Sequence, residues 1–270
     1  MEIFQADRIV RFETAGHSSK GNQLKWRDGD YWYKADFMGY EGLAEVMVSA
    51  ALKDSNCGEY AVYEPTWIDY RGKRFAGCRS RNFLGEQEEL ITAERLFRQF
   101  SGRSLAMELA RISEVKGRVQ YFVENIEEIT GLREFGPYLT MALELDAFFL
   151  NEDRHTNNIA VLYCADEDRY RYCPYFDHGL TLFSDTKQDF PVEQDVQCCR
   201  RQIMAKPFSR DFDEQMDAAE ELYGNQLKFS FDVEELLRGL RQFEGIYEER
   251  VCGRVEEVIR QQTGKYRIFF

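Results

Sequence analysis

Asn151-Glu152-Asp153-Arg154-His155-Thr156-Asn157-Asn158 is the stretch that says most about function, together with Phe176-Asp177-His178-Gly179 further along the chain. Between the two segments, residues 159–164 (IAVLYC) and 170–176 (YRYCPYF) have the apolar and aromatic composition of strands, with a turn between them. The pattern predicts a β-hairpin that carries polar groups at its open end.

The predicted hairpin brings oxygen-bearing side chains together. Folded about residue 167 or 168, it sets Asn158 opposite Asp177, and antiparallel partners lie about 5 Å apart at Cα. Asp153 lies five residues before Asn158, in the loop that leads into the hairpin. Two carboxylates and an amide that converge in this way suit Mg²⁺ and phosphate chemistry, because hard cations prefer oxygen ligands.

Each of these residues could instead have a purely structural role. Asp153 as an isolated aspartate would be expected to pair with Arg154 or to cap a turn. The spacing D-x-H-x-x-N followed by D-x-G favours instead Asp153 as the carboxylate that accepts a proton from a hydroxyl nucleophile, with Asn158 and Asp177 as metal ligands. We expect His155 to support this loop through a hydrogen bond, and His178 to orient Asp177.

A second candidate group lies in the N-terminal part. Tyr31-Trp32-Tyr33-Lys34 follows an Asp-Gly turn and is predicted to be a hairpin strand. Lys34 alone would be an exposed strand lysine. The helix predicted at about 41–53 carries Glu41 and Glu45, so a Lys–Glu pair that holds nucleotide phosphates is the alternative, with Glu45 favoured as the partner.

The loop 14–22 is a candidate phosphate-binding loop. Its glycines and small hydroxyl residues could present backbone N–H groups to an anion. It lacks the P-loop lysine, since Asn22 stands where lysine is required, and a flexible hairpin loop is the plain alternative. The residues that would form this candidate phosphate-binding loop are Gly16, His17, Ser18, Ser19 and Gly21.

Composition limits the classes of partner. The net charge of −13 argues against a sequence-independent grip on nucleic acid. No apolar run approaches the roughly 20 residues that span a bilayer, and the N-terminus lacks the shape of a signal peptide. Seven cysteines without a CxxC pair favour reduced thiols. A cytoplasmic protein is the expectation, with non-standard secretion left open.

The order of elements predicts an α+β fold with two lobes. Strand signals and one helix occupy residues 1–82, and amphipathic helices dominate residues 83–270, with the change of composition near Ser80–Gly85. Strands are expected at 7–13, 24–26, 31–34, 59–70 and 73–79, and helices at about 90–99, 104–116, 118–129, 137–150, 194–205, 211–223 and 232–262.

Taken in order, the loop 14–22, Lys34, Glu45, the D-R-H-x-x-N segment and Asp177-x-Gly179 resemble the protein-kinase-like fold. The form of the D-R-H-x-x-N segment is most similar to the HipA-like bacterial serine/threonine kinases, including their compact cell-translocating type. The order H-R-D, the D-F-G motif and A-P-E are absent from the sequence, which fits this divergent group.

The resemblance implies a small β-rich N-lobe, a larger helical C-lobe and an ATP- and Mg²⁺-dependent kinase. Lys34, held by Glu45, would contact the α/β-phosphates, and Asp153 would be the catalytic base beside Asn158 and Asp177. Ser18 or Ser19 would be the site of autophosphorylation. The partner would be a protein with a Ser/Thr hydroxyl, and a regulatory partner protein stays open. The alternatives are a small-molecule or lipid kinase of the same fold and a nucleotide-binding pseudokinase.

Overall fold

A computed structural model describes residues 2–8 and 23–270 of the chain. Their backbones pack into two compact units, which are Met1–Asn82 with Phe176–Ile203 and Lys228–Phe270, and Phe83–Tyr175 with Met204–Leu227. The break after Asn82 lies inside the predicted change of composition. Residues 176–203 and 228–270 pack with the first unit, so the two units do not have the same boundaries as the predicted lobes. The division into an N-lobe at 1–82 and a C-lobe at 83–270 stays a prediction.

The described strands and helices make a mixed α and β architecture. The strands are β1 (Ile3–Gln5), β2 (Lys25–Asp28), β3 (Tyr31–Ala35), β4 (Tyr63–Tyr70), β5 (Lys73–Arg81), β6 (Glu88–Thr92), β7 (Ala160–Cys164) and β8 (Arg169–Tyr172). The helices are α1 (Glu41–Lys53), α2 (Ala93–Ser101), α3 (Leu105–Ala110), α4 (Val115–Thr130), α5 (Phe135–Phe149), α6 (Val196–Gln202), α7 (Phe212–Tyr223), α8 (Val233–Arg238) and α9 (Glu249–Lys265).

The first unit is built on a mixed sheet. Among the described residues its strand order is β1-β4-β5-β3-β2, with β1 parallel to β4 and the other neighbours antiparallel. Trp26, Tyr33 and Ala35 lie in one buried apolar cluster. Because side chains alternate along a strand, Lys34 belongs to the opposite face, where it is the cross-strand partner of Lys25.

Helix α1 lies directly on strand β5 because glycines face each other at the contact. A Cβ added to Gly42 would lie 2.6 Å from the carbonyl carbon of Gly77, and one added to Gly77 would lie 2.2 Å from the backbone oxygen of Lys34. Neither position tolerates a side chain. Glu45 is three residues beyond Gly42 and so shares its helix face, which directs the carboxylate towards the sheet.

The second unit consists of helices and a small sheet. In the described chain β6, β7 and β8 form an antiparallel sheet in that order, and α5 packs against α4 and α7. Aliphatic and aromatic side chains of these elements, such as Phe122, Leu139 and Leu143, form one buried cluster. The apolar stripes of the predicted helices therefore point to the core that the structure contains.

Several predicted elements differ from the observed ones, among them the helix expected at about 104–116, which ends at Ala110, with α4 beginning at Val115. The helix expected from residue 90 begins at Ala93, because residues 88–92 pair with β7 as a strand. The helix expected at 232–262 is divided into α8 and α9, with Gly245 at φ 78° between them. The first strand is at residues 3–5 rather than 7–13, of which Asp7 and Arg8 lie in a 3-10 turn and the rest lie outside the described residues.

Candidate active site

The D-R-H-x-x-N segment begins where helix α5 ends. Leu150 caps that helix in the left-handed conformation, with φ 58°, and its N–H donates to the backbone oxygen of Asp146. The N–H of Asn151 donates to the same oxygen at 2.9 Å. Because a residue with a Cβ rarely adopts this conformation, the exit of the chain from α5 is held by the structure around it.

A buried ion pair between Asp146 and Arg154 connects this loop to helix α5. The carboxylate of Asp146 on α5 accepts from Arg154 Nε at 2.9 Å and from Asn151 Nδ2 at 2.8 Å. Arg154 Nη1 donates in turn to the backbone oxygen of Asn158 at 2.8 Å. Burial raises the pKa of Asp146, and the guanidinium of Arg154 opposes that effect. Asp146 and Arg154 therefore act as a framework that connects both ends of the loop.

Asp153 is fixed from several sides inside this loop. Its N–H donates to Asn151 Oδ1 at 3.1 Å, and Asn158 Nδ2 donates to its backbone oxygen at 2.8 Å and to its carboxylate Oδ2 at 3.3 Å. On the other carboxylate oxygen, Oδ1, Lys206 Nζ approaches to 3.4 Å. The side chain of Asp153 is only 7% exposed, so its position is determined by these neighbours.

His155 contributes to the loop through its backbone and its ring. Its N–H donates to the backbone oxygen of Asp153 at 2.8 Å, and its Nδ1 accepts from the N–H of Asn157 at 3.2 Å. Its Nε2 lies 3.8 Å from Asp153 Oδ2, which is beyond hydrogen-bond distance. The ring acceptor therefore stabilises the turn that brings Asn158 back to Asp153.

The outer side of the loop is attached to helix α2. Thr156 Oγ1 donates to Glu94 Oε2 at 3.0 Å, and the same oxygen accepts from the N–H of Ala106 at 3.0 Å. Burial alone would raise the pKa of Glu94, but hydrogen bonds from Ser104, Ala106 and Thr156 outweigh it and lower the pKa. The D-R-H-x-x-N segment is thus connected to two helices of its own unit.

The first unit holds a buried ammonium between two carboxylates. Lys34 Nζ on β3 lies 2.5 Å from Glu45 Oε1 on α1 and 2.7 Å from Asp177 Oδ1. The hydroxyl of Tyr63 on β4 lies 3.2 Å from the same nitrogen. Burial would lower the pKa of Lys34, but the charges of Asp177 and Glu45 outweigh burial and raise the pKa well above its usual value. Lys34 is therefore a permanent cation at neutral pH.

Glu45 is the glutamate that bonds Lys34, and Glu41 has a different role. Glu41 accepts hydrogen bonds from the N–H groups of Phe37, Met38 and Gly39 at 3.0, 2.6 and 2.8 Å, which stabilises the start of α1. Burial raises the pKa of Glu45, an effect that Lys34 opposes and Asp177 reinforces. Burial is thus the main cause of the raised pKa of Glu45, and the neighbouring carboxylate of Asp177 adds to it.

The Asp177-His178-Gly179 segment is fitted closely to α1. Asp177 adopts φ 61°, which is uncommon for a residue other than glycine and is concentrated at functional sites. The N–H of His178 donates to Glu45 Oε2 at 2.9 Å. A Cβ at Gly179 would lie 3.3 Å from Glu41 Cβ. A side chain at position 179 would therefore require a small shift of α1 or of the segment itself.

Lys25 adds a second cation to the Asp177 group. It is the cross-strand partner of Lys34, and its Nζ lies 3.8 Å from Asp177 Oδ1. Its side chain is 25% exposed, so it is more accessible than Lys34. Two lysines on neighbouring strands and one carboxylate make this face of the sheet suited to phosphate oxygens and a divalent cation.

The structure brings the predicted residues together in two separate groups. Lys34, Glu45 and Asp177 form one group in the first unit, and Asp153, His155 and Asn158 form the other in the second unit. The loop residues Gly16, His17, Ser18, Ser19 and Gly21 lie outside the described residues.

The predicted pairing of the hairpin is wrong by two residues. Val161 pairs with Tyr172 and Cys164 with Arg169, and β8 ends at Tyr172. This register corresponds to a hairpin folded between residues 166 and 167. Strand pairing therefore does not set Asn158 opposite Asp177. The aromatic run to residue 176 predicts one continuous strand, whereas β8 ends at Tyr172.

Sequence reasoning missed several residues of these groups. Lys25 and Tyr63 act on the Lys34 group, and Asp146 and Lys206 act on the Asp153 group. Lys25 could have been found, because the Asp-Gly hairpin register pairs it with Lys34. Lys206 carries no such signal, since 53 residues separate it from Asp153.

Comparison with known proteins identifies the fold. No protein-family model matches the sequence, and no curated protein matches it. Among solved structures, the chain is similar to the proinflammatory kinase CtkA of Helicobacter pylori, with a TM-score of 0.65 and 14% identity over 97% of this chain and 94% of that one. The chain therefore has an α+β, protein-kinase-like fold, as the order of its motifs predicts. Among the described residues, no helix is both long and apolar enough to cross a membrane.

Proposed function

We propose that the protein is a Mg-ATP-dependent phosphotransferase of the HipA-like type, acting as a protein serine/threonine kinase that can phosphorylate itself. The observation that carries the proposal is the Lys34 group, in which a buried, permanently charged ammonium is held by Glu45 at 2.5 Å and Asp177 at 2.7 Å. An ammonium placed in this way on a strand is the arrangement by which kinases hold nucleotide phosphates.

The Lys34 group supports nucleotide binding through electrostatics. Phosphoryl transfer depends mainly on positioning and on stabilising charge at the phosphate oxygens. Lys34 would bind the α/β-phosphates while Glu45 fixes the direction of its side chain. The high pKa of Lys34, which results from its two carboxylate neighbours outweighing burial, keeps this charge present throughout the neutral range.

The residues offered for the metal fit Mg²⁺ by their chemistry. Asp177 supplies a carboxylate on a backbone held at φ 61°. Asn158 donates through Nδ2 to Asp153, so its amide oxygen is the atom available to a cation. Bound Mg²⁺ would neutralise charge on the β- and γ-phosphates. Oxygen donors alone, without thiol or imidazole ligands, favour a hard cation over zinc.

Asp153 would orient the acceptor hydroxyl and take its proton. Its carboxylate is held by Asn158 on one oxygen and approached by Lys206 on the other, so it is fixed before substrate binds. Preorganisation of this kind is what a general base requires, because a misplaced base loses most of its effect. The acceptor class, a Ser/Thr hydroxyl of a protein, rests on the resemblance to HipA-like kinases and on the fold shared with a kinase.

The test is transfer from radiolabelled Mg-ATP to the protein itself, to a generic protein substrate and to small hydroxyl compounds. We expect label on protein with the wild type, and a loss of at least about 10²-fold in Lys34→Met and Asp153→Asn. Lys53→Met, which changes an exposed lysine of α1, is the matched control. Label on small compounds alone would identify a small-molecule kinase, and ATP binding without transfer would identify a pseudokinase.

Autophosphorylation has its own measurement. Mass spectrometry after incubation with Mg-ATP is expected to find phosphate on Ser18 or Ser19. Ser18→Ala and Ser19→Ala, singly and together, assign the position. Phosphate located only elsewhere, or no phosphate on a protein that labels a substrate, would remove this part of the proposal.

A further inference from the structure

A lysine from a distant part of the sequence approaches the candidate base. Lys206 Nζ lies 3.4 Å from Asp153 Oδ1, although 53 residues separate the two in the chain. The lysine side chain is 37% exposed and the aspartate side chain 7% exposed. A partly exposed lysine therefore approaches a buried carboxylate.

The two oxygens of Asp153 have different neighbours. Oδ2 accepts from Asn158 Nδ2 at 3.3 Å, whereas Oδ1 faces the ammonium of Lys206. A general base lies within about 3 Å of the hydroxyl it deprotonates. A phosphoryl group that joins a hydroxyl held at Oδ1 would therefore form on the side of Asp153 where Lys206 lies.

Arg154, the arginine of the D-R-H-x-x-N segment, already forms an ion pair within the protein. Arg154 is 3% exposed, and its guanidinium donates to Asp146 and to the backbone oxygen of Asn158. Moving it towards a substrate would leave Asp146 as an uncompensated buried charge, which is strongly destabilising. Lys206, which lies outside the loop, is a cation at Asp153 that does not take part in the Asp146–Arg154 pair.

An ordinary surface ion pair is the alternative interpretation of this contact. Lys116 and Glu221 form such a pair in the same unit, at 3.0 Å with side chains 50% and 66% exposed. Pairs of that kind contribute little because both groups move freely in water. The Lys206 contact differs because its carboxylate partner, Asp153, is buried and held by Asn151 and Asn158, so the ammonium approaches a candidate catalytic group whose position is fixed.

We propose that Lys206 is a catalytic residue whose ammonium contacts the phosphoryl group during transfer to the hydroxyl held by Asp153. The inference rests on the proposed function. In the reaction the bond between the γ-phosphorus and the bridging oxygen breaks, the hydroxyl oxygen bonds to that phosphorus, and the hydroxyl proton passes to Asp153. The bridging oxygen leaves as part of ADP, and Lys206 balances the charge on the equatorial phosphate oxygens.

Steady-state kinetics of Lys206→Met provide the first test, with Lys116→Met as the matched control. We expect kcat to fall by roughly 10²-fold or more while KM for ATP changes by less than about threefold, because the contact is made in the transition state. Lys206→Arg, which keeps the charge, should recover part of kcat. Thermal unfolding of each variant establishes that the protein is folded.

Binding of a transition-state mimic provides a second test that needs no turnover. Lys206→Met should bind Mg-ADP as the wild type does, but it should bind Mg-ADP with aluminium fluoride at least about tenfold more weakly. Equal affinities of wild type and variant for the fluoroaluminate complex would overturn the role of Lys206. Failure of the wild type itself to bind Mg-ADP would refute the proposed function, and the role of Lys206 with it.

Discussion

Replacement of Glu45 by glutamine tests how much the Lys34 group contributes to the fold. Glu45 Oε1 lies 2.5 Å from Lys34 Nζ, and Oε2 accepts from the N–H of His178 at 2.9 Å. Glutamine has one acceptor oxygen, so its amide nitrogen must face either the ammonium or that N–H group. One buried donor is then unsatisfied, and the ammonium loses one of its two carboxylates.

The cost follows from burial. The side chain of Lys34 is 9% exposed and that of Glu45 is 1% exposed, so solvent screens the pair very little. Breaking a buried ion pair costs about 3–5 kcal/mol when one charge is left uncompensated. Because Asp177 remains 2.7 Å from Lys34, we expect a smaller loss, about 2–4 kcal/mol of unfolding free energy.

Equilibrium unfolding in urea at neutral pH measures this loss. Glu89→Gln is the control, because it removes a carboxylate that pairs with Arg95 in an exposed position and should cost less than about 1 kcal/mol. A loss for Glu45→Gln no larger than that of Glu89→Gln would refute the reasoning. It would mean that Lys34 is compensated by Asp177 alone and that α1 does not depend on this ion pair.

Three further predictions concern other parts of the molecule. Burial, followed by the charge of Glu41, raises the pKa of Asp36 to about 8. The protonated Asp36 carboxyl therefore contributes stability that is fully present below its usual pKa of 3.8 and is lost as the pH rises through 8. Asp36→Asn should therefore flatten the fall of unfolding free energy between pH 5 and 9, and an unchanged pH dependence would contradict this. Arg154→Met should cost about 3–5 kcal/mol, because it leaves the carboxylate of Asp146 buried without its cation; a loss below about 1 kcal/mol in urea unfolding would count against the framework role. Lys25→Met should weaken Mg-ATP binding about 3- to 10-fold in calorimetry while leaving stability nearly unchanged, since its ion pair is partly exposed; unchanged affinity would exclude a phosphate contact.

Much of the architecture was predictable because it depends on local patterns. Helix α1 was expected at about 41–53 and is observed at Glu41–Lys53, and the Asp-Gly turn produces the β2–β3 hairpin. Apolar periodicity and turn chemistry act over a few residues, so they can be read directly from the chain. The predicted ends of elements were less accurate where pairing with a distant strand sets the end, as for residues 88–92, which pair with β7.

The residues of the candidate site were predictable only where residues close together in the sequence bond one another. The D-x-H-x-x-N segment is closed by its own hydrogen bonds, Asn158 to Asp153 and His155 to Asn157, so its residues could be named from sequence. The hairpin register was not predictable, because a shift of two residues keeps every side chain on the same face and the hydrophobic pattern does not distinguish the two pairings.

The sequence by itself determined which residue types are present, their order, and the local turns and helices that present them. Tertiary structure alone decided that Lys34 also bonds Asp177, 143 residues further along the chain, and that Lys206 lies beside Asp153. The physical reason is that these contacts join residues far apart in the chain. They depend on close packing, such as that of Gly42 on Gly77, and on the cost of burying a charge without a partner. Neither quantity is a property of a local segment.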